Sequence, residues 1–135
     1  MNKLIFVNLP VKNLPNSRAF FESMGYSFNP RFSNDQGACL VISDTIHAML
    51  LTEPFFKTFT KKPISDAKNS IEVLICLSCE SKAEVDQLVA KAVAGGGTTP
   101  NAVQDYGFMY SHGFEDLDGH VWELMYMDPN APPPN

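Results

Sequence analysis

The chain has 135 residues, 44% of them hydrophobic, which is enough for one cored domain or two small modules sharing a core and too little for several independent domains. Its net charge of −5, with ten scattered lysines and arginines, offers no basic stripe, so nucleic acid and anionic membrane surfaces are excluded as partners and small molecules are favoured. No apolar run approaches the roughly 18 residues that span a bilayer, and Met1-Asn-Lys leads into a strand-like segment instead of a signal peptide, so a cytoplasmic protein is expected.

Leu4 to Leu9 reads as a strand from its β-branched and aromatic content. A helix follows from about Ser17 to Met24, with Asn16 or Ser17 as its cap and Gly25 as its stop. Three strand-like runs come next, Tyr26 to Phe32, Ala38 to Ser43 and Ile46 to Thr52, separated by turn residues. The order is β-α-β-β-β. Residues 53–69, polar with two prolines and several aromatics, suit a linker that can carry a short helix. From Ser70 the order begins again. A strand spans Ile71 to Cys79, a helix opens at Ser81 with Glu84 completing a capping box, and Gly95-Gly-Gly97 ends it. Strands are expected over Thr98 to Gln104, Phe108 to Phe114 and His120 to Met127. Residues 129–135, rich in proline, cannot continue a sheet and form a frayed or extended tail.

Cys39, Cys76 and Cys79 form no even framework and are expected to stay reduced. Cys76-Leu-Ser-Cys79 matches the C-x-x-C pattern, but in a strand that spacing turns the two sulfurs to opposite faces. Small buried hydrophobes are the expectation for them, not a redox pair or half a zinc site.

Glu123 stands out as a lone carboxylate in an apolar strand that follows the Asp118-Gly119 turn. By alternation Val121, Glu123, Met125 and Met127 share one face, and His120, Trp122, Leu124 and Tyr126 share the other. A charge on an apolar face costs several kcal/mol unless it is paired, hydrogen-bonded, metal-bound or facing a wet cavity. A carboxylate satisfied by a nearby donor and a carboxylate with a functional role both remain open at this point.

Two β-α-β-β-β modules closing on Asp116-Leu-Asp-Gly-His-Val-Trp-Glu resemble the vicinal oxygen chelate superfamily, which holds glyoxalase I, extradiol dioxygenases, and fosfomycin and bleomycin resistance proteins. Phe6-Val-Asn-Leu-Pro-Val-Lys-Asn-Leu and Phe20-Phe-Glu-Ser-Met-Gly-Tyr extend the resemblance over nearly the whole chain, closest to the bacterial glyoxalase-like subgroup of unassigned activity. It implies an α+β fold: one domain over residues 1–128, with modules at 1–52 and 70–128 joined by the linker 53–69, curling a mixed sheet around a cleft. It also implies a homodimer, which the apolar first strand makes physically reasonable.

The same resemblance implies four inward residues holding a divalent ion, on the first, fourth, fifth and eighth strands. Carried onto this chain they fall at Phe6, at Leu50 (or Met49 if the register shifts by one), near Leu74, and at Glu123. Only Glu123 keeps a ligand type, and one carboxylate is too few for a tight transition-metal site. No cofactor is therefore expected. A weaker zinc, nickel, manganese or iron site using Asn8, Glu72 and Glu123, with His47 nearby, is the alternative.

Removing the metal leaves an expected cleft lined by Phe6, Leu50, Leu74, Met125 and the aromatic run Phe108, Tyr110, His112, with Asn8 and Glu123 as polar groups. The expected function is binding of a small amphipathic molecule. The alternative is a glyoxalase I-like lyase or isomerase with Glu123 as base or metal ligand. No Ser-His-Asp or Cys-His pattern and no phosphate-binding glycine loop is present.

Overall fold

The computed structural model describes residues 2–131, so the expected tail passes outside the described residues from position 132 onward. The chain divides into two compact units, Met1–Asp66 and Ala67–Asn135. Each contains a four-stranded mixed sheet of the same topology.

In the first unit, β1 (Ile5–Val11) leads into α1 (Leu14–Ser23), followed by β2 (Ser27–Asn29), β3 (Gly37–Val41) and β4 (Ile46–Thr52), with spatial order β1-β4-β3-β2. The edge strand β1 runs parallel to β4, and the remaining pairs are antiparallel. Helix α1 starts earlier than the sequence suggests because Asn13, not Asn16 or Ser17, is its cap: its side chain accepts from Asn16 N at 3.0 Å. Pro15 then falls in the first turn, where its missing N–H costs nothing. Leu14, Phe20 and Phe21 of α1 are buried, and Leu9, Val11, Ala38, Leu40, Ala48 and Leu50 form the sheet's share of this core. Strand β2 stops at Asn29 because Pro30 opens a 3-10 turn whose first N–H, on Arg31, donates to the Asn29 side chain.

The linker carries a short helix, α2 (Glu53–Phe56), and one 3-10 turn. In the second unit, β5 (Leu74–Ser78), α3 (Lys82–Ala94), β6 (Gln104–Asp105), β7 (Met109–Glu115) and β8 (Val121–Met127) repeat the pattern as β5-β8-β7-β6. Ser81 caps α3 by accepting from Glu84 N at 3.0 Å, and Glu84 reaches back to Glu80 N at 2.8 Å, one residue before the position a capping box normally serves. Val85, Val89 and Ala92, spaced by one and two helical turns, bury against the sheet face that carries Phe114, Trp122 and Leu124. The Phe114 and Trp122 rings, paired across β7 and β8, stack with centroids 6.4 Å apart. Fully burying side chains of this kind is worth roughly 1.5–3 kcal/mol each.

Two expected strands shrink. Strand β5 begins at Leu74, opposite Val121, the first residue of its partner β8. Over Thr98 to Gln104 only an isolated bridge from Thr98 to Glu115 and the two-residue β6 form, since Pro100 brings no N–H to a ladder.

Candidate functional site

The turn before β8 is built around a buried acid. Asp116 Oδ1 accepts from Asp118 N and His120 N, each at 3.0 Å, and its Oδ2 accepts from the Trp122 indole nitrogen at 3.0 Å. Burial pushes the Asp116 carboxyl up, against the lowering pull of the neighbouring His120 and these three donors. The first Asp of the Asp-x-Asp-Gly signature thus locks the hairpin and fixes Trp122. Gly119, at φ +90°, closes the turn against the backbone of Ala67 and Lys68.

This anchoring sets the register of β8 and therefore what surrounds Glu123. Its cross-strand neighbours are Cys76 on β5 and Gly113 on β7. Leu74, Ser78, Val121, Met125 and Ser111 lie on the same face, giving a mostly apolar wall with one half-buried carboxylate. Gly113 leaves room there: a Cβ on it would lie 2.9 Å from the Trp122 carbonyl oxygen and 3.4 Å from Glu123 Cγ. Among the described residues of its unit, no donor hydrogen-bonds to Glu123 and no cation pairs with it. The donor-satisfied reading of this carboxylate therefore finds no support within the unit.

Cys76 stands directly beside Glu123, and burial first and the Glu123 charge second push its thiol above the usual range. Cys79 lies past the end of β5 and donates its N–H to Met125 O at 2.7 Å. Burial, then the charge and hydrogen bond of Glu84, push its thiol up to about 11. All three cysteines are free thiols. A thiol titrating at about 11 is only about one part in a thousand ionised near pH 8. Alkylation of Cys79 by iodoacetamide, followed by mass spectrometry, should therefore accelerate about tenfold per unit between about pH 8 and 10. A rate that is flat over that range contradicts the assignment.

The aromatic run sits elsewhere than the sequence suggests. Because Gly113 is the residue facing Glu123, His112 pairs with Leu124 and Tyr110 with Tyr126, on the opposite face beneath α3. Tyr110 donates its hydroxyl to Asp86 on α3 at 2.6 Å, and His112 Nε2 lies 3.1 Å from the Asn101 carbonyl oxygen. Phe108 precedes β7 and stacks on Tyr106 with centroids 6.2 Å apart. Glu72 precedes β5 in an exposed bend, so strand alternation does not carry it to the Leu74 face. Of the expected residues in this unit, Leu74, Glu123 and Met125 come together, while Glu72, Tyr110 and His112 do not join them.

In the first unit, Phe6 and Asn8 share a face with His47 and Met49. The Phe6 ring stacks on His47 at 4.7 Å and 15°, and Asn8 Nδ2 donates to Phe6 O at 3.2 Å. His47 Nδ1 is buried without a hydrogen-bond partner. Leu50 is on the other face, paired with Leu9 and fully buried. The fourth-strand position facing the same way as Phe6 is therefore Met49, not Leu50.

Phe6, Met49 and Leu74 offer no hard or imidazole ligand, and among the described residues no three His, Cys, Asp or Glu side chains gather to hold an ion. Cys76, Ser111 and Gly113 are the neighbours of Glu123 that sequence reasoning misses, because they come from pairing register and not from any motif.

No model of a known protein family and no curated protein matches the chain. Solved structures do. Hypothetical protein SA1046 from S. aureus is 26% identical with a TM-score of 0.78, covering 93% of this chain and 95% of that one. A glyoxalase/bleomycin resistance protein/dioxygenase family enzyme from Burkholderia phytofirmans PsJN is 17% identical with a TM-score of 0.76, covering 94% and 100%. The fosfomycin resistance protein FosX from Listeria monocytogenes is 20% identical with a TM-score of 0.67, covering 98% and 96%. With its repeated β-α-β-β-β units and these neighbours, the chain has the fold of the glyoxalase and bleomycin resistance proteins.

Proposed function

We propose that this protein binds a small amphipathic molecule on the apolar face around Glu123, without a tightly held metal. The observation that carries this reading is a half-buried carboxylate flanked by Leu74, Cys76, Val121 and Met125, with no partner in its own unit. A half-buried carboxylate set in an apolar face favours a ligand that supplies a donor or a cation there. The ligand's apolar part covers the wall, and its polar or cationic part meets the carboxylate.

The likeness to a fosfomycin resistance protein and to glyoxalase/bleomycin resistance family members is consistent with a small-molecule role. We further propose a homodimer, supported by exposed Leu4, Ile5 and Phe6 on or beside the edge strand β1. A cytoplasmic location fits the reduced cysteines; no helix among the described residues is long and apolar enough to cross a membrane.

The test is a thermal-shift panel of amphipathic amines and aromatic cations on wild type and Glu123→Gln, alongside metal analysis of the purified protein. A ligand that stabilises wild type should bind the variant at least tenfold more weakly, about 1.4 kcal/mol. Equal affinity for both proteins removes Glu123 from the site. A stoichiometric ion lost in the variant replaces this reading with the metal-dependent lyase or isomerase one, as does Glu123-dependent turnover of an α-ketoaldehyde thiol adduct.

A further inference from the structure

The first unit holds a cavity remote in character from the Glu123 wall. It measures about 450 Å³ and lies between the exposed side of α1 and the loop that precedes β3, lined by Leu14, Pro15, Arg18, Glu22, Asn34 and Asp35. The helical contributors recur every three or four residues, so they form one stripe facing the loop. We propose that this cavity is a binding site for a small zwitterion, a molecule carrying a carboxylate and an ammonium group on a short aliphatic body.

The open mouth of the cavity carries complementary charge: Glu22, Asn34 and Asp35 are exposed there and Arg18 is half-buried. Asn34 is held rigidly by its turn: Oδ1 accepts from Gln36 N at 2.9 Å and Gly37 N at 3.0 Å, and its own N–H donates to Gly37 O at 2.8 Å. The side chain has only its NH₂ group left to offer, which is a donor. The Arg18 guanidinium carbon sits 5.1 Å from the Phe28 ring centroid, which steadies the planar group while leaving its N–H edges available. These two donors can take a carboxylate. Glu22 and Asp35 supply the opposite chemistry, two acceptors for an ammonium.

These charges do not satisfy one another. No ion pair joins Arg18 to Glu22 or to Asp35. Arg18 and Glu22 are four apart on α1 with the cation first, the weaker order for a helical pair. Leu14 and Pro15 add apolar lining for an aliphatic body. The volume falls within the range of small-ligand pockets and is ample for an amino acid. A simple amine would leave Arg18 unanswered, and a simple carboxylate would face two acids. A ligand with both groups matches the lining best.

The probe is L-leucine, titrated into the full-length ¹⁵N-labelled chain and followed by NMR, with leucinamide and 4-methylpentanoate as analogues lacking the carboxylate and the ammonium respectively. L-Leucine should give saturable millimolar shifts of the Arg18, Glu22, Asn34 and Asp35 backbone amides, and each analogue should bind at least tenfold more weakly. Arg18→Gln and Asp35→Asn should each weaken L-leucine at least tenfold while the rest of the spectrum stays native. No saturable shift at these amides, equal binding by a single-charge analogue, or undiminished binding by both variants overturns the proposal. Because every contact lies in the first unit, failure here leaves the Glu123 reading standing, and the reverse is equally true.

Discussion

Replacing Asp116 with Asn should lower the unfolding free energy by roughly 2–4 kcal/mol, although the new side chain has nearly the same shape. Asp116 is 7% exposed and receives three N–H donors, two on Oδ1 and the Trp122 indole on Oδ2. An Asn oxygen can keep the two backbone donors. Its NH₂ group then confronts the indole N–H, donor against donor, at a buried position. Asp116→Ala should cost at least as much, because all three N–H groups lose their acceptor. Urea unfolding of the variants checks this; a loss below about 0.5 kcal/mol for both would show that the hairpin does not depend on the acid. Acidity adds a sign. Because burial raises the Asp116 carboxyl above its ordinary 3.8, the folded chain binds a proton that the unfolded chain has released over the interval just above that value. Stability from this proton is present below pH 3.8 and is lost as pH rises through the folded value. The gap between wild type and Asp116→Asn should therefore be widest in acid and narrow as the pH is raised.

Gly119→Ala should destabilise by roughly 3 kcal/mol, and Gly25→Ala by only about 1 kcal/mol. Both glycines have φ near the left-handed region, +90° and +100°. A Cβ on Gly25 meets nothing within 4 Å, so only the backbone preference is lost. A Cβ on Gly119 would lie 2.8 Å from Lys68 N and 2.9 Å from Ala67 C, atoms that cannot rotate aside. The difference between the two variants isolates the close approach of residues 67–68 to the β7–β8 turn. Equal losses in parallel chemical melts would mean that this segment yields freely and does not fasten the start of the second unit.

Much of the fold was legible because its signals are local. Ser81 and Glu84 announce α3, Gly25 and Gly95-Gly-Gly97 end the helices, and the repeated order of strands and helices is visible without any tertiary knowledge. The face shared by Glu123 and Met125 also follows from alternation within a single strand. What alternation cannot supply is the phase between strands. Tyr110 and His112 share a face with each other, as expected, but only the pairing of Gly113 with Glu123 reveals that this face is the one under α3. Leu50 fails for the same reason: a shift of one residue sends it into the core and brings Met49 to the Phe6 side. Glu72 fails because β5 begins at Leu74, opposite Val121, the first residue of β8. Asp116 was read as part of a turn motif; its grip on Trp122 depends on a side-chain contact between residues six apart that no periodicity encodes.

The two acids of the β7–β8 hairpin differ in what holds them. Asp116 is committed to architecture, whereas Glu123 answers to no neighbour in its half of the molecule. In this chain the leading aspartate of the Asp-x-Asp-Gly signature is accordingly a fixture of shape, seven positions ahead of the acid whose register it sets.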